Sequence, residues 1–256
     1  MLPAKFDSEG AVKHQYVGDI NDYRKYALLR TLSASGANRI GVCWMLTPSD
    51  GRSDGGKLAY LAQPERFRHF DPDLFDILAH AAAEPDRRRL QTIEDSRAIA
   101  GASYHNETLP DDVSGRAAFM QRCASEFRDA ELVFFDPDNG LEVSLTKGRK
   151  NSSKYLYLDE VASFYEAGKS LLVYQHFPRI ERKAFVASCA GRLWSVASDA
   201  AIWAFTTKHV VFFLLIHPKG RELLSIAATE ASARWDEEFM NGLFLGNGRE
   251  DTDSRA

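Results

Sequence analysis

With 256 residues, 45% of them hydrophobic and 16 of them Phe, the chain has enough apolar mass for one large α/β core. A formal net charge of −4 excludes a globally basic nucleic-acid binder but leaves room for a local basic patch. Cys43, Cys123 and Cys189 are far apart and form no Cys-x-x-Cys pair, which argues against a disulfide framework or a structural zinc site and for reduced, buried thiols in a cytoplasmic protein.

The first residues lack an apolar h-region, so no signal peptide is expected. Asp19 to Leu32 reads as a helix capped by Asp19, with apolar positions at Ile20, Tyr23, Ala27 and Leu28. Arg39 to Leu46 is a first buried strand, followed by a polar, Gly-rich loop that holds Thr47, Asp50 and Asp54. Helices are expected over Asp73–Ala83, Arg87–Ala100 and Ser114–Asp129, with a short polar-ended strand at Ser103–Thr108. The apolar run up to Phe135 is a buried strand. Leu158–Ala167 is a helix, Ser170–Tyr174 another buried strand, and Ile180–Cys189 a helix. Ala201–Thr206 and Val210–Ile216, separated by three residues, have the spacing of a hairpin. The second of these is the longest apolar run and is too short to span a bilayer, so no membrane association is expected. Glu222–Phe239 contains a final helix, and residues 249–256 read as a flexible tail. Residues 1–248 are therefore expected to form a single α/β domain, with residues 1–35 as an N-terminal helical extension. Strands alternating with helices predict a mostly parallel sheet covered on both faces, with a C-terminal antiparallel β-hairpin at its edge.

The most informative stretch is Glu131-Leu-Val-Phe-Phe-Asp136-Pro137-Asp138-Asn139-Gly140-Leu141-Glu142. An apolar strand ends in acids, a proline and a glycine, and ligands of open α/β sheets bind just beyond the carboxyl ends of the strands. All these residues are also turn formers. A turn alone, however, does not call for three acids and an amide. Downstream, Lys147, Arg149, Lys150 and Lys154 form a basic loop without acids, a candidate grip on phosphates of RNA or DNA. It is equally the composition of a solvated surface loop.

Two short motifs carry a resemblance. Asp136-Pro137 matches the start of the Asp/Asn-Pro-Pro-Tyr motif of amino-group methyltransferases, although Asp138 and Asn139 replace its last two residues. Gly18-Asp-Ile-Asn-Asp22-Tyr-Arg-Lys25-Tyr26 resembles the Gly-Asn-x-x-Asp-x-x-Lys-His segment of the large-subunit ribosomal RNA adenine methyltransferase family, with Tyr26 in place of the histidine. The resemblance implies a Rossmann-like, doubly wound fold that uses S-adenosylmethionine to methylate a nucleic-acid base amine. It assigns Asp136, with Asp138 and Asn139, to the amine, and Gly18, Asp22, Lys25 and Tyr26 to the cofactor, joined by Thr47 and Asp50 from the loop after the first strand. That loop departs from the family, in which an acid and a tight glycine turn follow the strand.

A rival reading comes from the residues alone. Asp136, Asp138 and Glu142 are hard oxygen ligands within one loop, suited to Mg²⁺ or Mn²⁺, and His176 at the end of the next strand would serve as general base or as a further ligand. That describes a divalent-metal nuclease or phosphoesterase. A third reading keeps the fold as a catalytically inactive binding module.

Overall fold

The computed structural model describes residues 17–47, 56–84 and 87–248. Helix α1 (Ile20–Ser35) starts where Asp19 accepts the backbone N–H groups of Asn21 and Asp22, at 2.8 and 2.9 Å. It is part of the core rather than an appendage. Tyr23, Tyr26, Ala27, Leu28, Leu29 and Leu32 are all fully buried. Strand β1 (Ile40–Cys43) follows. Residues 59–70 then form short helical turns, among them α2 (Pro64–Phe67), before α3 (Pro72–Ala83) and α4 (Leu90–Ser96). Prolines at the first helical positions of α2 and α3 set these starts, and Asp71 caps α3 through the Leu74 N–H.

The chain continues with β2 (Ala102–His105), α5 (Val113–Glu126), β3 (Leu132–Phe135), the two-residue strands β4 (Gly140–Leu141) and β5 (Tyr155–Leu156), α6 (Leu158–Glu166) and β6 (Ser170–His176). It ends with α7 (Arg182–Trp194), β7 (Ala201–Thr206), β8 (Val210–Ile216), α8 (Arg221–Arg234) and β9 (Asn241–Asn247).

Seven strands form one sheet in the order β2-β1-β3-β6-β8-β7-β9. The first four are mutually parallel; β8 is antiparallel to β6 and β7, and β9 is antiparallel to β7. The fold is thus α/β with a mostly parallel central sheet and added antiparallel strands. The hairpin falls on the residues expected, but it is not the edge. Its second strand is inserted between β6 and β7, and β9, which the sequence reading missed, closes the sheet.

Strand residues alternate strictly between two cores. Val42, Phe134, Leu172, Phe212 and Leu214 face α1, α3 and α8, whereas Cys43, Phe135, Val173, Phe213 and Leu215 face α5, α6 and α7. Both faces of the central strands are covered, which is why they read as continuous apolar runs instead of alternating ones. Burying each such side chain contributes about 1.5–3 kcal/mol. The fit is close at Gly41, where an added Cβ would lie 2.5 Å from the Phe127 ring. The three cysteines are free and buried. No helix among the described residues is long and apolar enough to cross a membrane.

Candidate functional site

Strand β1 pairs with β2 on one side and β3 on the other, so the chain reverses its direction of travel across the sheet between β1 and β3. The carboxyl ends of two such strands diverge their connections and leave a crevice, the usual ligand position in open α/β sheets. Trp44 to Thr47 follow β1 there, and Asp136 follows β3, its N–H held by the Cys43 carbonyl at 3.1 Å.

Helix α1 brings the N-terminal motif to the same place. One turn of helix sets Asp22, Lys25 and Tyr26 side by side. Lys25 Nζ donates to Asp136 Oδ2 at 2.6 Å and to Asp22 Oδ1 at 2.8 Å. Asp22 Oδ2 accepts from the Gly18 N–H and the Tyr26 hydroxyl, each at 3.1 Å. The Lys25 ammonium also lies 5.6, 5.8 and 5.9 Å from the ring centroids of Tyr26, Trp44 and Tyr174. Burial works against its charge, but the two carboxylates outweigh burial and raise its pKa, so Lys25 stays protonated.

Asp136 is pushed up from 3.8 to about 6, chiefly by burial, which the attraction of Lys25 only partly offsets; Asp22 and Asp138 add to the rise. Asp19 is likewise pushed up to about 6 by burial and then by Asp22. Among the described residues Lys25 is the donor on Asp136 Oδ2, and no protein donor reaches Oδ1.

The loop after Asp136 is stitched down by Gln175 on β6. Gln175 Oε1 accepts the Leu141 N–H at 2.8 Å, and its Nε2 donates to the Asn139 carbonyl at 3.1 Å. Gly140 has φ +119°, and a Cβ there would lie 2.3 Å from Gln175 Oε1, so this turn requires glycine. Asp138 accepts from Thr47 Oγ1 at 3.0 Å and lies 3.9 Å from Lys154 Nζ. The pairing of β4 with β5 then carries the chain away from the crevice.

These contacts sort the expected residues. Asp136, Asp138, Asn139 and Thr47 gather at the crevice, with Gly18, Asp22, Lys25 and Tyr26 behind them. The last four bond to one another, Tyr26 is fully buried, and Lys25 holds Asp136. Asp50 and Asp54 lie outside the described residues. The three-carboxylate metal set is not assembled. Glu142 accepts the Leu158 N–H at the start of α6 and lies 3.7 Å from Arg192. Among the described residues no three acidic, His or Cys side chains converge as metal ligands. His176 is exposed and its Nδ1 lies 3.0 Å from the Phe177 carbonyl.

Two of the four basic loop residues face acids. Lys147 pairs with Asp159 at 2.6 Å and with Glu160 at 3.2 Å, and Lys154 faces Asp138. Arg149 and Lys150 remain exposed. Beneath them Arg116, 1% exposed, binds Glu160 through two nitrogens at 2.6 and 2.8 Å and caps the carbonyls of Ser152 and Tyr155. Three site residues escaped the sequence reading: Trp44, Tyr174 and Gln175. Each is a plain strand residue or lies next to one, and only the parallel register Phe135↔Val173 sets Tyr174 beside Asp136.

No protein-family model and no curated protein matches the chain. Among solved structures it is similar to protein LPL1258 from Legionella pneumophila str. Philadelphia 1, of the family DUF519, with a TM-score of 0.46 and 8% identity over 93% of this chain and 99% of that one. At that score and identity the likeness carries no inference about function.

Proposed function

We propose that the crevice between β1 and β3 transfers a methyl group from S-adenosylmethionine to the exocyclic amine of a nucleic-acid base. The observation that carries this reading is the Lys25–Asp136 contact, which occupies one carboxylate oxygen and leaves Oδ1 open at the strand ends. The strand order, the reversal of direction at β1 and β3 and the helices on both faces support a Rossmann-like, doubly wound reading of the sheet.

The residues fit a cofactor of this kind on charge. Asp136 and Asp138 lie at the crevice beside Lys25 and Lys154, and carboxylates there suit a cationic sulfonium and a proton-bearing amine. Thr47 and Asp138, on the β1 side, would hold the cofactor, which supplies the activated methyl group. Asp136 Oδ1 would accept a hydrogen bond from the amine, orient its nitrogen lone pair and take the proton the amine loses; the cofactor's sulfur–methyl bond would break as the N–C bond forms, leaving S-adenosylhomocysteine. A carboxylate near pKa 6 is a competent base at neutral pH, and such a group contributes about 10²–10⁴-fold. Lys25 fixes the carboxylate plane, and the Tyr174 ring walls the amine side.

The test is thermal denaturation with S-adenosylhomocysteine, followed by methyl transfer to RNA and DNA oligonucleotides. A ligand at 100 times its Kd stabilises by about 2.7 kcal/mol. Asp136→Asn is expected to keep that stabilisation and to lose transfer by about 10²–10⁴-fold. Absence of any stabilisation by S-adenosylhomocysteine overturns the reading, and stabilisation without transfer to any oligonucleotide returns the chain to a binding module.

A further inference from the structure

Within residues 147–154, Lys147 and Lys154 face acids while Arg149 and Lys150 stay exposed, and a second basic surface adjoins the crevice. The antiparallel register of β6 and β8 sets His176 opposite Val210. The Phe177 N–H donates to the His209 carbonyl at 3.0 Å, and Arg182 Nη2 donates to the Lys208 carbonyl at 2.7 Å. The turn between β7 and β8 is rigid, because Thr207 Oγ1 accepts the N–H groups of both His209 and Val210. His176, Arg182, Lys208 and His209 therefore share one surface.

Lys57 and Arg24 also act on His209. Burial first, then Lys57, Lys208, Arg24 and His176, all oppose its protonation, so these basic groups lie near one another around the His209 ring. Lys57, Arg182 and Lys208 are exposed, and among the described residues none of them forms an ion pair with a carboxylate. The nearby Glu181 is turned into α7, where it accepts the N–H groups of Lys183 and Ala184. Basic side chains gathered on one exposed surface create a positive potential that attracts anions. This rim meets the acidic crevice directly, through the His176 N–H bond to the Asn139 carbonyl at 3.2 Å.

We infer that the rim of Lys57, His176, Arg182, Lys208 and His209 binds the phosphate backbone of a single-stranded nucleic acid whose base enters the crevice at Asp136. The inference rests on the methyl-transfer reading for the base and on the rim alone for the backbone. An acidic pocket beside a basic ledge matches the two ends of a nucleotide, an amine-bearing base and a phosphate.

The test is anisotropy of a labelled single-stranded RNA across a salt series, for the full chain and two double variants. Each phosphate contact contributes about 0.7 to the slope of log K against log salt for single strands. Lys57→Ala/Lys208→Ala is expected to lower the slope by about 1.4 and weaken binding, and Arg149→Ala/Lys150→Ala to leave both unchanged. The reverse pattern, or binding no tighter than to a polyglutamate peptide, overturns the proposal. Rim-dependent RNA binding without stabilisation by S-adenosylhomocysteine removes the methyl-transfer reading alone. Rim-independent RNA binding with that stabilisation removes the rim alone.

Discussion

Replacing Lys25 by Met keeps the length of the side chain and removes its charge. The Lys25 side chain is 8% exposed, and its partners Asp22 and Asp136 are 6% and 17% exposed, so two carboxylates are left in a poorly solvated site with no counter-ion. Removing one partner of a buried pair costs about 3–5 kcal/mol. At about 2–4 °C per kcal/mol for a chain of this size, the melting temperature is expected to fall by roughly 6–20 °C at neutral pH.

The pH dependence gives the sharper readout. Asp136 has its folded pKa raised from 3.8 to about 6, so the native state prefers the protonated acid. Its destabilising effect is absent below 3.8 and complete once the pH has risen through 6, and amounts to about 3 kcal/mol in the native protein. Without Lys25 the pKa rises further, and protonation relieves more of the cost. Circular dichroism melts from pH 5 to pH 8 are expected to show the deficit of Lys25→Met shrinking toward the acid end. Adding Asp136→Asn is expected to recover part of the loss at pH 8, as a coupling between the two positions. A deficit below about 1 kcal/mol that does not vary with pH would refute the buried triad as described.

Gly140→Ala sets a methyl group 2.3 Å from the Gln175 amide oxygen in a backbone that L residues avoid, and is expected to cost at least about 2 kcal/mol in urea denaturation; an unchanged midpoint would contradict the latch. Arg116→Met leaves Glu160 buried and frees the carbonyls of Ser152 and Tyr155. A loss of about 3–5 kcal/mol is expected, with faster trypsin cleavage at Lys150 and Lys154, and a native-like cleavage rate would show that the clamp does not hold the loop.

Much of this architecture was legible because its signals are local. Asp19 caps α1 as read, and the hairpin residues agree because two apolar runs flank an evident turn. Strand β9 was missed because Gly242 and Gly246 break its pattern and its edge position leaves Leu243 and Phe244 about half exposed. The turns over residues 59–70 are held by aromatic packing, such as Tyr23 stacked on Tyr60 at 5.4 Å, and packing of that kind has no periodicity to find. At the site, spacing told which residues share a loop but not where they point. Glu142 sits six positions after Asp136, and only the β4–β5 pairing turns it toward α6. The contact of Lys25 with Asp136 spans 111 residues of sequence, a separation no local pattern encodes.

The placement of β8 has a consequence for how the chain is made. That strand lies between β6 and β7, and all of its residues are apolar and buried. A ribosome delivers it after both of its neighbours, so until then β6 offers a bare, two-sided apolar edge. The nascent chain waits in that state for a segment from its last fifth, and this interval is when aggregation competes with folding. Translation that stalls before residue 210 leaves the central sheet with a gap that no other strand fills, and such a fragment is one for a chaperone to shield.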